Sequence, residues 1–411
     1  MSNLSFEKLY DAIAGEAVAI RSRTELQPAG GRGDKVFPPS YSVDGSATHK
    51  YAVEERLCSN GEKSISVLLD SVASQANRAE LALLEGWNSR ELKFPVPYVD
   101  FSVDQGITDY EKLTVLEVPH RIADAIFRDS LLDGTLFRLS DIGRAITNAT
   151  PRDATGLFRY SPTALLFGMW DSTGPKGGLG SKFQRAYVSE IIGLDVQFGA
   201  KVSSRLDPLQ IEKVASDDRV YKSIDDNEVW TEDSNKAAKD NKGHFIYASR
   251  GAASGEAGQP SKINHGNIPP SIDKQAGGVT ISHALQVTVI SFAALRKLFF
   301  KGYTTEAQVS MRTSIAALGI AALAYQQVMD FDLRSRCLLI PTHSPKIQML
   351  KRDGSASEEF AINQDSAAYI LNQASENVAS HGVGWETNDI RLTPAPKLLE
   401  LIKRSQKLSV T

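Results

Sequence analysis

A polar segment, residues 206–277, interrupts an otherwise regular succession of strand and helix patterns. This segment is rich in Asp, Ser, Gly and Pro, shows little periodicity, and carries seven acidic against two basic residues between Ser216 and Asp233. Regular patterns return at Gly278. Because structured elements lie on both sides of it, the segment is predicted to be an insertion or a mobile subdomain rather than part of the core.

The residues before this segment begin with a strand pattern that has one charged face. Val18 and Ile20 share one parity, whereas Arg21, Arg23 and Glu25 share the other, which is typical of a half-buried strand. Two short strands, 51–57 and 64–69, follow around the turn signal Asn60-Gly61. A helix capped by Asp70 or Ser71 comes next. The first elements are therefore predicted to form a hairpin-containing sheet covered by a helix.

Further elements repeat the alternation without a doubly wound rhythm. Strands are predicted at 113–118, 163–170, 278–292 and 336–340, and helices from Pro119, over 183–193, over 293–300, over 306–329 and over 365–380, before a basic tail at 397–407. This mixture favours the α+β class. The predicted parts are 1–205, the insertion 206–277, a return to the first part over 278–345, and a C-terminal helical segment over 346–411.

Composition excludes several broad classes of protein. With 42% hydrophobic and 23% charged residues, the chain is predicted to fold. Its formal charge of -3 indicates no overall electrostatic attraction to nucleic acid. Only Cys58 and Cys337 are present, so no disulfide framework or cysteine zinc site is expected. The N-terminus lacks the pattern of a signal peptide, and the apolar run Ile315–Ala324 is short for a membrane span. A cytoplasmic protein with no membrane partner is expected.

The glycine-rich loop Gly174–Lys182 is the most suggestive segment for chemistry. Consecutive glycines allow backbone N–H groups to approach a phosphate at a helix N-terminus. The loop is not a Walker A motif, because Leu179 stands where the second glycine is required, and Phe183 breaks the dinucleotide fingerprint. Its neighbours Lys176, Lys182 and Arg185 nevertheless predict contact with a phosphate backbone; an ordinary tight turn is the alternative.

Two other segments offer groups that suit sugar, phosphate and base edges. One contains Gln75, Asn77 and Arg78 on a predicted helix, and the other is His120-Arg121 after Pro119. From the residues alone, a solvated helix face is favoured for the first segment and a structural histidine for the second. The scattered histidines and acids predict no metal site, no cofactor and no catalytic residue.

Five segments together resemble one family. They are AIRSRTELQPAGGRGDKVFPPSY, VLLDSVASQANRAE, PHRIADAIFRDS, SPTALLFGMWDSTGPKGGLGSKFQRAYVSEIIG and INHGNIPPSIDKQAGGVTIS, in order between about residues 15 and 345. They are similar to the backbone subunit of type I-G (formerly I-U) CRISPR effector complexes, the Cas-seven group of that subtype within the RAMP superfamily. The resemblance implies an RRM-like, ferredoxin-like palm with large insertions called fingers and thumb.

The resemblance also implies a non-catalytic function in antiviral defence. Such a subunit polymerises head to tail along CRISPR RNA, holds the sugar-phosphate backbone and leaves the bases to pair with target DNA, beside the other subunits of the type I complex. Carried onto this chain, its guide contacts would be the polar and cationic residues Arg21, Arg23, Gln75, Asn77, Arg78, His120, Arg121, Lys176, Lys182 and Arg185. Arg78 and Lys182 should converge on the guide. Asn264, His265 and Asn267 form an NHGN motif without an assigned role.

Two alternatives stay open at this point. A RAMP-superfamily RNA endonuclease would need an acid or a histidine acting on the ribose hydroxyl, and Asp34 or Asp171 would be the loop aspartates to consider. A small-molecule enzyme would use the glycine loop to hold a phosphate. Co-purifying RNA of discrete length would distinguish a backbone subunit from both.

Overall fold

The chain folds into two compact units. The computed structural model describes residues 3–57, 61–102, 110–174, 181–206, 208–209, 219–225, 227–247, 260–263, 265 and 268–409. The first unit comprises residues 1–39, 52–196 and 281–411, and the second comprises residues 40–51 and 197–280. The first unit is thus assembled from three separate stretches, and the polar segment 206–277 falls within the second.

An antiparallel sheet forms the centre of the first unit. Its strands lie in the order β18-β19-β1-β17-β10-β3-β2, with β20 also paired to β1 and β21 paired to β20. Their bounds are β1 Ala17–Pro28, β2 Val53–Leu57, β3 Lys63–Asp70, β10 Tyr187–Leu194, β17 His283–Ser291, β18 Phe331–Arg334, β19 Cys337–Pro341, β20 Lys346–Lys351 and β21 Glu358–Ala361. Two long strands, β1 and β17, pair along eight residues and hold together the parts of the chain before and after the insertion.

Helices bury one face of this sheet. The central one is α8, in which Ile315, Leu318 and Leu323 are fully buried, and it packs against α1, α2, α6 and α9. The helices are α1 Phe6–Ala14, α2 Val72–Asn88, α3 Ala125–Arg128, α4 Asp141–Thr147, α5 Thr155–Tyr160, α6 Thr163–Phe167, α7 Phe292–Leu295, α8 Thr305–Gln326, α9 Gln364–Ser380 and α10 Pro396–Ser409. Among the described residues, α8 alone is long and apolar enough to cross a membrane, but 83% of its most apolar window is buried in the protein.

Two smaller sheets complete the first unit. Five short strands lie in the order β5-β4-β22-β6-β7, in which β22 is parallel to β4. A two-stranded ribbon is formed by β8 and β9. The bounds are β4 Tyr98–Asp100, β5 Lys112–Thr114, β6 Ser130–Leu132, β7 Thr135–Leu136, β8 Met169–Trp170, β9 Lys182–Phe183 and β22 Arg391–Pro394.

The described part of the second unit consists mainly of short antiparallel ribbons. They are β11–β16, β12–β15 and β13–β14, with bounds β11 Gln197–Phe198, β12 Lys201–Arg205, β13 Tyr221–Lys222, β14 Trp230–Thr231, β15 Ile268–Asp273 and β16 Val279–Thr280. The apolar pair Val202 and Ile272 faces solvent on β12–β15, with 77% and 69% of each residue exposed.

The structure confirms several sequence predictions. Mixed helix and predominantly antiparallel strand agree with the α+β class. In β1, Ile20 is buried while Arg23 and Glu25 are exposed. The β2–β3 hairpin forms; Asn60 lies outside the described residues, and Gly61 has a φ of 81°. Ser71 caps α2 by accepting a hydrogen bond from the backbone N of Ser74.

Two predictions around the glycine loop are wrong. Residues 163–170 form α6 followed by β8 rather than one strand, and residues 183–193 lie mostly in β9 and β10 rather than in a helix. The run TALLF follows Pro162 and stops at Gly168, which has a φ of 84°; Ala and Leu favour helix over strand. In β10, Tyr187, Ser189 and Ile191 are buried and alternate with Val188 and Glu190, which is a strand period.

The predictions around Pro119 are also only partly right. The strand β5 ends at Thr114, where the Glu117 carboxylate accepts hydrogen bonds from the backbone N and the hydroxyl of Thr114 and closes a turn. Beyond Pro119 there is only a short 3-10 turn, Arg121–Ala123, and the four-residue α3. Local side-chain hydrogen bonds therefore close turns where the apolar pattern predicted a strand over 113–118 and a helix from Pro119.

Candidate nucleic-acid interface

The exposed face of the main sheet carries Arg21 and Arg23, as the parity of β1 predicts. Arg21 donates from Nε and Nη2 to Gln348 Oε1 at 3.0 and 2.7 Å. Gln348 in turn donates from Nε2 to Glu359 Oε1 at 2.8 Å. Arg23 is exposed, and it makes no hydrogen bond or ion pair with its side chain in the described part of the chain. Arg21 is therefore oriented by the protein, whereas the donors of Arg23 face solvent.

Apolar side chains lie beside these arginines in the same rows of the sheet. Arg21 pairs with Val289, which pairs on its other side with Val188, and Arg23 pairs with Val287. Val188 is 39% exposed. We call Arg21, Arg23, Val188, Val287 and Val289 the sheet-face patch. It combines cationic and apolar surface, and these are the two kinds of surface that contact phosphates and the faces of sugars or bases.

A second patch is formed by the β8–β9 ribbon and the residues after it. Lys182 Nζ lies 5.4 Å from the centre of the Trp170 ring, and Trp170 is 53% exposed. Arg185 is also exposed, and a Cβ at Gly168 would lie 2.9 Å from Arg185 Cγ. We call Trp170, Lys182 and Arg185 the ribbon patch. An exposed indole next to cations can stack on a base while the cations contact phosphate.

The ribbon patch corrects the prediction of a phosphate site at a helix N-terminus. Lys182 lies on β9 and Arg185 between β9 and β10, so no helix begins after the glycine loop. Lys176 lies outside the described residues. The two described cations stay candidates as exposed charges beside an aromatic ring, without the backbone dipole that the sequence pattern suggested.

Arg121, in contrast, is committed to a buried ion pair. Its Nε and Nη2 donate to Glu80 Oε1 and Oε2 at 2.5 and 2.8 Å, and its Nη1 donates to the Gly168 carbonyl at 3.1 Å. The side chains of Arg121 and Glu80 are 11% and 3% exposed. Burial raises the pKa of the Glu80 carboxyl, and the guanidinium opposes that shift. Arg121 therefore fastens its segment to α2 and has little surface for RNA.

Gln75 is fully buried at the centre of a polar network. Its Nε2 donates to Asp70 Oδ2 at 2.6 Å. Its Oε1 accepts from Ser189 Oγ at 3.0 Å, from Gln286 Nε2 at 2.8 Å and from Gln326 Nε2 at 3.1 Å. These bonds join α2 to β10, β17 and α8. The side chain offers no surface to a ligand, so its role here is to organise the core.

Arg78 and Asn77 lie in different environments although they are neighbours on α2. Arg78 donates to Asp70 Oδ2 at 3.0 Å and to the Leu333 carbonyl at 2.7 Å, which connects α2 to β18. Its side chain is 31% exposed. Asn77 is exposed. Asn77 and part of Arg78 can therefore reach a ligand, but Arg78 also holds two elements together.

The remaining predicted residues are less informative. His120 and His265 are exposed, whereas Asn264 and Asn267 lie outside the described residues. Of the two loop aspartates, Asp34 accepts from the backbone N of Lys35. Asp171 is buried and accepts from Arg138 Nη2 at 2.6 Å. In the described part of the chain, no group of three or more His, Cys, Asp or Glu residues could hold a metal ion.

Sequence reasoning missed Trp170 as a surface residue. It was assigned to the interior because it ends an apolar run, yet the Asp-Ser-Thr-Gly sequence directly after it signals a turn at the surface. It also missed Arg138, whose bond to Asp171 comes from a residue 33 positions away. No local pattern indicates such a pair.

Comparison with known protein families finds a match to part of the chain. Residues 20–198, less than half of the chain, match the model of a family described as CRISPR-associated protein GSU0053. The matched range contains both the sheet-face arginines and the ribbon patch. Comparison with curated proteins gives no match. The match marks residues 20–198 as similar to a CRISPR-associated protein family, and it supports a role in CRISPR defence.

Proposed function

We propose that this protein is the backbone subunit of a type I CRISPR effector complex of the I-G subtype. In this role it binds CRISPR RNA along its sugar-phosphate backbone and presents the bases for pairing with target DNA. The family match supports a CRISPR function, and the observation that carries the proposal is the sheet-face patch. There Arg23, which has no partner for its side chain among the described residues, lies beside Val287 on the face of the sheet opposite the helices.

The composition of this patch suits binding that is independent of sequence. Phosphate contacts position a nucleic acid but carry no sequence information, and guanidinium groups bind phosphate oxygens by two parallel hydrogen bonds. Val287 and Val289 offer apolar surface to sugars or unstacked bases. The ribbon patch adds Trp170 and Lys182 for stacking and charge. Both patches can hold any guide, which leaves recognition of the target to base pairing.

The architecture proposed is an RRM-like palm of the RAMP superfamily with large insertions. The antiparallel main sheet with helices on one face supports this proposal. Copies of the chain would stack head to tail along the guide and contact the other subunits of the complex. In a head-to-tail polymer, one surface of each copy contacts the preceding copy and a different surface contacts the following copy. The protein would act in the cytoplasm and would have no catalytic role.

RNA binding by variants of the full chain tests the proposal. We expect Arg23→Ala to weaken binding to unrelated single-stranded RNAs by a similar factor and to make the slope of log affinity against log salt shallower by about 0.7. The matched control is Lys301→Ala, which removes an exposed cation outside both patches. The melting temperature of both variants should stay close to that of the wild type, since exposed charges usually change stability by no more than ~0.5 kcal/mol.

Two results would contradict the proposal. One is a wild-type protein that copurifies without RNA and binds none at low salt. The other is an Arg23→Ala variant with the same affinity and salt slope as the Lys301→Ala variant. Cleavage of guide or target RNA by the assembled complex would instead support the endonuclease alternative.

A further inference from the structure

A cavity of about 640 Å³ opens on the first unit away from both patches. It lies between the C-terminal end of α2, the loop that follows it, the start of β5, α9 and the segment 385–389. Two indole rings, Trp87 and Trp385, are in its lining, together with the cations Arg90, Lys93 and Lys112. Its volume is within the range of about 300 to 1,000 Å³ that small-molecule sites occupy.

The lining combines aromatic rings with cations, which suits a ligand that contains both an aromatic ring and a negatively charged group. Lys112 Nζ lies 4.8 Å from the centre of the Trp87 ring and 5.2 Å from that of Tyr98, so this ammonium group is held beside aromatic faces. Arg90 and Lys93 are exposed, and their side chains make no ion pair in the described ranges. Three cations therefore line one opening together with the carboxylates of Glu386 and Asp389, and among the described residues none of the three cations forms an ion pair.

Trp385 contributes part of an indole ring to the wall of the cavity. Its ring packs against Phe158 at 6.2 Å between ring centres, and its Nε1 is buried without a hydrogen-bond acceptor among the residues that the structure describes. A buried donor without a partner costs free energy, because it has lost its bonds to water. The N–H itself has almost no accessible surface, so Trp385 lines the cavity with other parts of its indole ring.

The two acids in the lining have different roles. Glu386 Oε1 accepts from the backbone N of Thr387 at 3.0 Å and from the backbone N of Asn388 at 3.1 Å, and such bonds lower the pKa of its carboxyl. Glu386 thus shapes the segment that carries Trp385. Asp389 is exposed and can accept hydrogen bonds from ligand hydroxyl or N–H groups.

We propose that this cavity binds a nucleoside phosphate, with the base against the indoles, the phosphate at Arg90, Lys93 and Lys112, and a sugar hydroxyl or base N–H at Asp389. The nucleoside phosphate can be a free mononucleotide or the phosphorylated end of an RNA strand, which offer the same groups. The proposal does not depend on guide binding by the sheet-face patch.

Calorimetric titration of the full chain tests this site. The probes are AMP, GMP, CMP and UMP, with adenosine and inorganic phosphate as comparators, and RNA hexamers with a 5′-phosphate or a 5′-hydroxyl. We expect mononucleotides to bind more tightly than adenosine or phosphate. Lys112→Gln should weaken binding by about tenfold, the value of one charge-assisted hydrogen bond. Displacement of the mononucleotide by the 5′-phosphate hexamer alone identifies a strand end; displacement by neither hexamer identifies a free nucleotide.

Two further variants separate this site from a structural effect and from guide binding. Trp385→Phe replaces the indole by a smaller aromatic ring, so it should weaken nucleotide binding by reducing the stacking surface, and its melting temperature reports any loss of packing against Phe158. Arg23→Ala and Lys301→Ala should bind the mononucleotides as the wild type does. The proposal is overturned if no probe binds, if Lys112→Gln and Trp385→Phe bind as the wild type does, or if Lys301→Ala is weakened as much as Lys112→Gln.

Discussion

The buried pair of Arg121 and Glu80 allows a direct test of whether Arg121 is a guide contact or a structural residue. Replacing Arg121 by Ala removes both hydrogen bonds to a carboxylate whose side chain is only 3% exposed. Removing one partner of a buried pair costs about 3 to 5 kcal/mol, because the other charge stays buried and uncompensated. The loss also removes the bond that Arg121 makes to the Gly168 carbonyl.

This free energy converts to a measurable change in melting temperature. The first unit has roughly 300 residues, and unfolding entropy is about 2.1 cal/mol/K per residue. A cost of about 3 to 5 kcal/mol then lowers the melting temperature of this unit by about 5 to 8 °C. Differential scanning calorimetry of the wild type and of Arg121→Ala measures this change, and the exposed Lys301→Ala serves as the control.

The destabilisation should also depend on pH. Burial raises the pKa of Glu80 in the folded protein, so the folded chain holds this proton more tightly than the unfolded chain. That contribution to stability is present at low pH and is lost as the pH rises through the folded pKa. Without the opposing guanidinium the folded pKa rises further, so Arg121→Ala should be more destabilising relative to the wild type at pH 8 than at pH 5.

A second variant checks the assignment. Glu80→Gln combined with Arg121→Ala removes the buried charge, so the double variant should melt above the single Arg121→Ala variant at pH 8. If Arg121→Ala melts like the wild type and instead loses RNA affinity, the reasoning is refuted and Arg121 is a guide contact. If the melting difference were instead identical at pH 5 and pH 8 and the double variant gave no recovery, Arg121 would still be structural, but the explanation by the buried charge of Glu80 would be refuted.

Three other outcomes follow from the contacts described. Gln75→Leu should lower the melting temperature by several degrees because it breaks the buried network around Asp70, whereas the exposed Asn77→Ala should leave it unchanged in the same calorimetric scan. Burial raises the pKa of the Cys337 thiol to about 11, so this cysteine should resist iodoacetamide at pH 8 in the native protein and react after unfolding, as peptide mass spectrometry can show. Incubation of the assembled complex with labelled RNA and Mg²⁺ or Mn²⁺ should give no cleavage; cleavage that disappears in Asp171→Asn would contradict a non-catalytic role.

The sequence predicted best those elements whose period is long and unbroken. In β1, residues of one parity are buried and Arg23 of the other parity is exposed, because a strand between two neighbours in a one-sided sheet must alternate. The sequence also predicted the N-cap of α2 at Asp70 or Ser71 and the approximate length of α8. These features are local, since they depend on the residues of one element and on whether that element faces a core.

The errors lie where a short apolar run is compatible with either structure. TALLF is helical where a strand was predicted, and the residues after the glycine loop form strands where a helix was predicted, because runs of five to eight residues carry little periodicity. β-Branched Val188, Ile191 and Ile192 were the available signal for the strand β10. The helix expected after the glycine loop is absent, so the predicted geometry of a phosphate at a helix N-terminus is wrong, whereas phosphate contact by Lys182 and Arg185 stays a prediction.

Candidate contacts were harder to judge than elements, because polarity alone does not show whether a side chain is already engaged. Arg21, Arg23 and Arg121 look alike in the sequence. In the structure, Arg23 has no protein partner among the described residues, Arg21 is oriented by Gln348, and Arg121 is used by Glu80. The partners lie 327 and 41 positions away, so only tertiary structure assigns them.

This difference in engagement ranks the arginines as possible ligands of phosphate. A guanidinium without a protein partner loses only its own hydration and rotamer freedom when it binds a phosphate. A guanidinium that is paired with a buried carboxylate must also leave that carboxylate unpaired, at a cost of about 3 to 5 kcal/mol. A charge-assisted hydrogen bond returns about 1.5 to 3 kcal/mol. If RNA binds as proposed, it would gain free energy by contacting Arg23 and would lose free energy by drawing Arg121 out of its pair with Glu80. The proposed binding surface should thus follow the exposed face of β1, whereas Arg121 holds its own segment against α2.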